Sequence, residues 1–140
     1  TSRGLGDVYK RQAYGLFRLL GRLLPHESSA PLAKIRIAYR GRTRTVFAKA
    51  DTGCGLREPF SGLPVIVCER GTLANLAPGE GEPLRLVPYG SLGGSGLLYA
   101  FMPDRVTGPG DRELRCYIGL ADTPLSSGQY TALYNPDMFL

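Results

Sequence analysis

The chain contains a single histidine, His26, and only three cysteines, Cys54, Cys68 and Cys116, with no paired spacing among them. That set is too sparse for a zinc centre, which needs Cys and His ligands recurring at short intervals, and an odd cysteine count argues against a disulfide framework. A reducing, intracellular compartment is the simpler expectation. Cys54 invites a reading as a nucleophile with His26 as its base, but no spacing ties the two, and a buried, inert cysteine is the usual case. Long apolar runs are also missing, since no stretch approaches the roughly 20 residues that span a bilayer. No internal repeat is evident. The run Gly93-Gly94-Ser95-Gly96 follows a strand-like segment but opens no helix and lacks a Lys-Ser or Lys-Thr ending, so it is not a phosphate loop.

What is present suits one domain with one core: 140 residues, 43% hydrophobic and 21% charged. The 19 Gly and 11 Pro favour short strands and many turns, so a mostly β fold with one or two short helices is expected. Charge is unevenly spread. Residues 1 to 49 hold eleven Lys or Arg against Asp7 and Glu27, a net of +9, whereas residues 50 to 140 hold six Arg against ten acids, a net of −4. The body is therefore mildly acidic, which disfavours nucleic acid as a partner. The basic leading segment is compatible with an anionic membrane surface.

Residues 1 to 12 carry no apolar period and read as translated adapter sequence, outside the fold. From Ala13 to Leu24, five leucines at positions 16, 19, 20, 23 and 24 mark one face of an amphipathic helix, which Pro25 stops, and a linker runs on to residue 32. Lys34 to Arg40 alternates Ile35, Ile37 and Tyr39 with charged residues, a half-buried strand. Gly41 and Arg42 turn the chain into a second strand over Thr43 to Ala50. Leu63 to Cys68 is apolar enough for a buried strand. Thr72 to Leu76 suits a helical turn or two, and Leu84 to Tyr89 with Leu97 to Met102 suits a hairpin with a glycine-rich tip. Arg105 to Thr107 and Leu114 to Gly119 are two further strands, and Gln129 to Leu140 closes the core.

The second strand of the first hairpin delivers Asp51-Thr52-Gly53. A carboxylate, a hydroxyl and a glycine in succession after a strand form the pattern in which aspartic peptidases present their catalytic Asp, with glycine leaving room for backbone and substrate. The same triplet alone is also an ordinary surface turn. The glycine-rich tip has two readings as well, a plain loop or a lid that closes over substrate.

Taken together, several blocks resemble the sporulation sigma-E factor processing peptidases, membrane-associated aspartic peptidases of endospore-forming bacteria. They are Asp51-Thr52-Gly53 with Leu56, Pro59, Gly62, Pro64 and Val65; Leu86-Val87-Pro88-Tyr89 with Gly93-Gly94 and Gly96-Leu97-Leu98; Ala100-Phe101 with Pro103-Asp104; Ile118-Gly119 with Pro124-Leu125-Ser126; and Asn135-Pro136. The resemblance covers residues 33 to 140. Cys54 stands where the family more often has Asn, and Glu58-Pro59 where Asp-Pro is more usual.

The resemblance implies a retropepsin-like closed β barrel whose active site lies at a homodimer interface. It assigns Asp51 as catalytic, Thr52 and Gly53 to the active-site loop, Gly93, Gly94, Ser95 and Gly96 to a candidate flap, and Ile118-Gly119 to the strand that braces the loop. Chemistry makes the same demand for two copies, because aspartic catalysis needs two carboxylates sharing a proton and the sequence has one Asp-Thr-Gly. No metal and no cofactor are called for. The implied substrate is a pro-sigma factor, cut to remove its N-terminal pro-sequence. In family members a membrane domain lies upstream and the peptidase works at the cytoplasmic, mother-cell face; this chain reads as the soluble peptidase half, lacking that domain. The competing reading is a non-catalytic β-barrel that binds a protein or peptide.

Overall fold

A computed structural model of the chain describes residues 32–79, 81–91 and 94–139. The segment expected at residues 1 to 12 and all but the last residue of that expected at 13 to 32, His26 among them, lie outside the described residues, as does Gly93. Alternation sets the first hairpin: in β1 (Ala33–Tyr39) Ile35 and Ile37 are fully buried while Lys34 and Arg36 face solvent. Arg40 and Gly41 both take positive φ, at 54° and 76°. A two-residue turn of that hand matches the twist of the flanking strands and returns the chain as β2 (Arg42–Ala50), with Ile35 opposite Val46.

Seven more strands follow: β3 (Val65–Glu69), β4 (Arg85–Ser91), β5 (Gly94–Phe101), β6 (Arg105–Thr107), β7 (Glu113–Leu114), β8 (Tyr117–Ala121) and β9 (Ala132–Tyr134). One helical turn, α1 (Arg70–Leu73), runs on into a 3-10 turn over Ala74–Leu76. The mostly β expectation with short helices is met. All nine strands join one sheet in the order β4-β5-β8-β3-β9-β2-β1-β6-β7. That order has two ends, and the described strands make a curled half-barrel.

One expected strand divides. Over Leu114 to Gly119 the chain first pairs Leu114 with Val106 at the sheet's edge, then crosses at Arg115 and Cys116 to run as β8 between β5 and β3. A continuous strand could not serve both places. β3 and β8 occupy the middle of the sheet, in parallel register with Ile66 opposite Ile118, and are buried on both faces, which explains their unbroken apolar sequence.

The main core gathers Ile35, Ile37, Val46, Ile66, Phe101 and Ile118 on one face of the sheet. Phe101 is 1% exposed, and its ring lies 4.9 Å from that of Tyr39. A second cluster, on the other side, joins Cys54, Val67, Tyr89, Leu98, Leu125 and Leu133.

Gly96 shows how the β4–β5 hairpin is held. It pairs with Tyr89 across the ladder, and a Cβ built on it would meet the Tyr89 hydroxyl at 2.3 Å, so the buried tyrosine ring occupies the space that a side chain would need. Gly90, facing Ser95, has nothing within 4 Å of the same construction. Gly96→Ala is therefore expected to lower stability by about 1–3 kcal/mol, the cost of overpacking, and Gly90→Ala to change it little. Denaturant midpoints of the two variants check this. Equal losses would mean that chain flexibility, and not space, is what glycine supplies here.

Candidate active site

Asp51 is the first residue past β2 and is 4% exposed. Side chains alternate along the strand, so Ala48 packs with the main core while Lys49 and Asp51 share the opposite direction. Lys49 is buried as well, with its Nζ 5.4 Å from the centre of the Tyr130 ring. The backbone of the loop is fixed from both sides. The Asp51 N–H donates to the Tyr134 carbonyl of β9 at 2.8 Å, and the Cys54 N–H donates to the Asp51 carbonyl at 3.0 Å. The Gly53 N–H donates to Asp51 Oδ1 at 2.9 Å, which sets the carboxylate's rotamer. Thr52 and Gly53 themselves are exposed.

Among the described residues no cation pairs with Asp51. A carboxylate that is nearly buried, without a counter-ion and held by one backbone N–H, is unfavourable for a structural acid. Its field reaches two neighbours. Burial pushes the Cys54 thiol up to about 11, and the charge of Asp51 adds to that shift. Burial also raises the Tyr130 phenol, again with a contribution from Asp51. Cys54 is thus held as a thiol at neutral pH, a packing group of the second cluster and not a nucleophile. Cys68 and Cys116 are buried too, and burial raises both of their thiols.

Two groups beside Asp51 escape sequence reasoning. Lys49 looks like one more charge on a solvated strand face, and nothing local marks Tyr130. Its placement comes from Ser126, whose Oγ accepts the N–H groups of Gly128 and Tyr130 at 3.2 and 3.0 Å and whose hydroxyl donates to the Tyr130 carbonyl at 2.6 Å. Ser126 belongs to the Pro124-Leu125-Ser126 block, so the family pattern held a signal that periodicity did not. Of the strand expected to brace the loop, β8 contributes Ala121 to the cluster beneath it; the backbone bond to Asp51 comes from β9.

Glu58 shapes the segment that follows. It is 1% exposed, and its carboxylate accepts the N–H groups of Phe60 at 2.6 Å and Ser61 at 2.9 Å. Its backbone closes the same loop, accepting from Gly62 and donating to Leu63. Burial alone would raise the Glu58 carboxyl, but the bonds from Phe60 and Ser61 and the nearby charge of Arg85 together hold it below the ordinary value. The carboxylate form is therefore the one the fold favours. A carboxyl lowered on folding stabilises at pH above its unfolded value, and that stabilisation is lost as pH falls through the folded value. Glu58→Gln is expected to flatten the acid side of a melting-temperature profile against pH while leaving the chain folded at neutral pH. An unchanged profile would remove Glu58 as a source of the acid sensitivity.

The candidate flap residues Gly94, Ser95 and Gly96 belong to β5, with Gly94 opposite Ser91 and Ser95 opposite Gly90, so strand pairing runs closer to the tip than the glycine-rich sequence implies. Among the described residues no helix is long and apolar enough to cross a membrane, and no group of His, Cys, Asp or Glu is placed to hold a metal ion.

Residues 25–138 match the family described as sporulation factor SpoIIGA. A curated protein of Clostridium acetobutylicum, named a probable sporulation sigma-E factor-processing peptidase, is 37% identical over 105 residues. That alignment takes in 71% of this chain but 39% of the relative, so the chain spans well under half the length of the curated protein it matches.

Proposed function

Because the chain belongs to the sporulation factor SpoIIGA family, we propose that it is the peptidase domain of an aspartic endopeptidase that activates a sporulation pro-sigma factor by removing its N-terminal pro-sequence. The observation that carries the catalytic part is Asp51: a carboxylate without a counter-ion, set by the Gly53 N–H on a loop whose Thr52 and Gly53 are exposed. One such acid is half of a catalytic pair. The second comes from another copy of the chain, with the two loops meeting across a two-fold axis.

In this mechanism the two Asp51 carboxyls share one proton. The ionised one takes a proton from a water held between them while that water's oxygen attacks the scissile carbonyl carbon, and the protonated one gives its proton to the carbonyl oxygen. The tetrahedral intermediate then collapses: a proton passes to the amide nitrogen, the C–N bond breaks, and acid and amine leave. Thr52 ties the two loops together through its hydroxyl, Gly53 leaves room for the peptide, and the glycine-rich run Gly93-Gly94-Ser95-Gly96 supplies the flap that closes over it. The step uses no metal or cofactor. An upstream membrane domain would hold two copies in one plane at the cytoplasmic face, raising their effective concentration and lowering the affinity that the interface itself must supply.

The reading is tested by co-expressing the chain with a pro-sigma substrate and following loss of the pro-sequence, with Asp51→Asn as the comparison. Cleavage retained by a folded Asp51→Asn chain overturns the aspartic mechanism and leaves the non-catalytic, peptide-binding alternative.

A further inference from the structure

A pocket of about 320 Å³ opens beside the loop that carries Asp51. Cys54, Gly55, Leu56 and Arg57, the residues that directly follow Asp51-Thr52-Gly53, form part of its wall. A chain rises at most about 3.3–3.6 Å per residue, so this wall lies within a few residues' reach of the carboxylate along an extended peptide. The lining combines apolar surface from Leu56, Val65 and Leu114 with three charged groups, Arg57, Arg115 and Asp137.

The charges are unequally committed. Arg57 Nη1 donates to the Gly62 carbonyl at 2.9 Å, which leaves the rest of its guanidinium donors. Arg115 is exposed and, among the described residues, has neither an ion pair nor a side-chain hydrogen bond. Asp137 pairs with neither arginine. The pocket therefore offers apolar walls, a net positive charge and one uncommitted fork of donors suited to a carboxylate. Gly55 adds an opening, because nothing lies within 4 Å of where its Cβ would stand.

Resting on the peptidase reading above, we propose that this pocket is a specificity subsite that receives a glutamate side chain from an extended peptide substrate, with Arg115 as the residue that selects it. The methylenes of glutamate lie along the apolar lining and its carboxylate meets Arg115, with Arg57 in support. A lysine at the same substrate position brings like charge to both arginines, against which only Asp137 and the apolar lining act in its favour.

The test uses short synthetic peptides that differ only in carrying Glu, Gln, Ala or Lys at one position, with that position walked along both sides of the scissile bond. At one position Glu is expected to exceed Lys in kcat/KM by about tenfold or more, the factor belonging to a single charge-assisted hydrogen bond. Arg115→Glu, an exposed and foldable change, should reverse the order so that Lys exceeds Glu. Gly55→Val should depress cleavage of the Glu peptide far more than of the Ala peptide by filling the pocket. Amidated peptides separate a side-chain acid from a terminal carboxylate. The same peptides, fluorescently labelled, are also titrated against Asp51→Asn protein, so that the subsite is read by binding where there is no turnover. A Glu preference that is absent, or that is unchanged by Arg115→Glu in folded protein, overturns the subsite. Cleavage that survives Asp51→Asn overturns the peptidase mechanism instead, and the binding titration still decides the subsite.

Discussion

Replacing Asp51 by Asn is expected to lower cleavage of the pro-sequence at least about a thousandfold, the scale on which a general base contributes. Asn has the same shape and keeps an oxygen in position to accept the Gly53 N–H, so the loop and the backbone bond to Tyr134 stay in place. The chemical difference is confined to the proton: an amide cannot take one from water at this step. Circular dichroism and a melting curve close to those of the unaltered chain would show that the fold survives. A dimer with one Asp51 per copy adds a sharper expectation. If chains mix freely, an equal mixture of unaltered and Asp51→Asn chains leaves only about a quarter of the dimers with two carboxylates. Activity should fall with the square of the unaltered fraction. A linear decline would mean that one chain carries a complete site, and the two-chain mechanism would have to be abandoned.

The largest effect on stability is expected from Phe101→Ala, about 3–5 kcal/mol by the measure of large-to-small changes in well-packed cores. Phe101 is 1% exposed at the end of β5, opposite Ile118 of β8, and it packs against Tyr39 of β1. It thereby links the central strands to the first hairpin, and truncation would open a void that none of the three strands can close without breaking its own pairing. Domains of this size are stable by only about 5–15 kcal/mol, so the loss is a large share of the total. It should appear as a drop in melting temperature on the order of 10–20 °C. A change below about 1 kcal/mol by denaturant titration would show that the region repacks, and the role given to Phe101 would fail.

Much of this architecture can be read from residue patterns wherever one strand has one buried face. Ile35, Ile37 and a turn at Gly41 mark the first hairpin in sequence because local alternation and local turn geometry decide it, although the two turn residues are Arg40 and Gly41 and not the expected Gly41 and Arg42. The apolar run at β3 was readable for the opposite reason, since burial on both faces erases alternation. The division between β7 and β8 was not readable: Leu114 and Ile118 are alike as residues, and their different partners are fixed by pairings with Val106 and Ile66, far away in sequence. The candidate site divides in the same way. Asp51-Thr52-Gly53 stands out as a motif, whereas Lys49 reads in sequence as an ordinary surface charge and is buried against Tyr130 in the fold. Glu58 is buried and clasps its loop through two backbone donors, a role that its place in the sequence does not announce. Gly96 also leaves room for the Tyr89 ring, a requirement that a glycine-rich run does not show in sequence.

The bond from Asp51 to Tyr134 ties the loop to a strand that lies about eighty residues further along the chain. β2 and β9 run parallel, with Ala48, Lys49 and Ala50 opposite Ala132, Leu133 and Tyr134. Contacts so distant in sequence form late, because the intervening chain must first be ordered. On a ribosome the first hairpin emerges and pairs early, yet the acid at its end has no fixed backbone until β9 has been made. Under the peptidase reading, a nascent chain therefore has no ordered catalytic loop until β9, the last of the nine described strands, is in place.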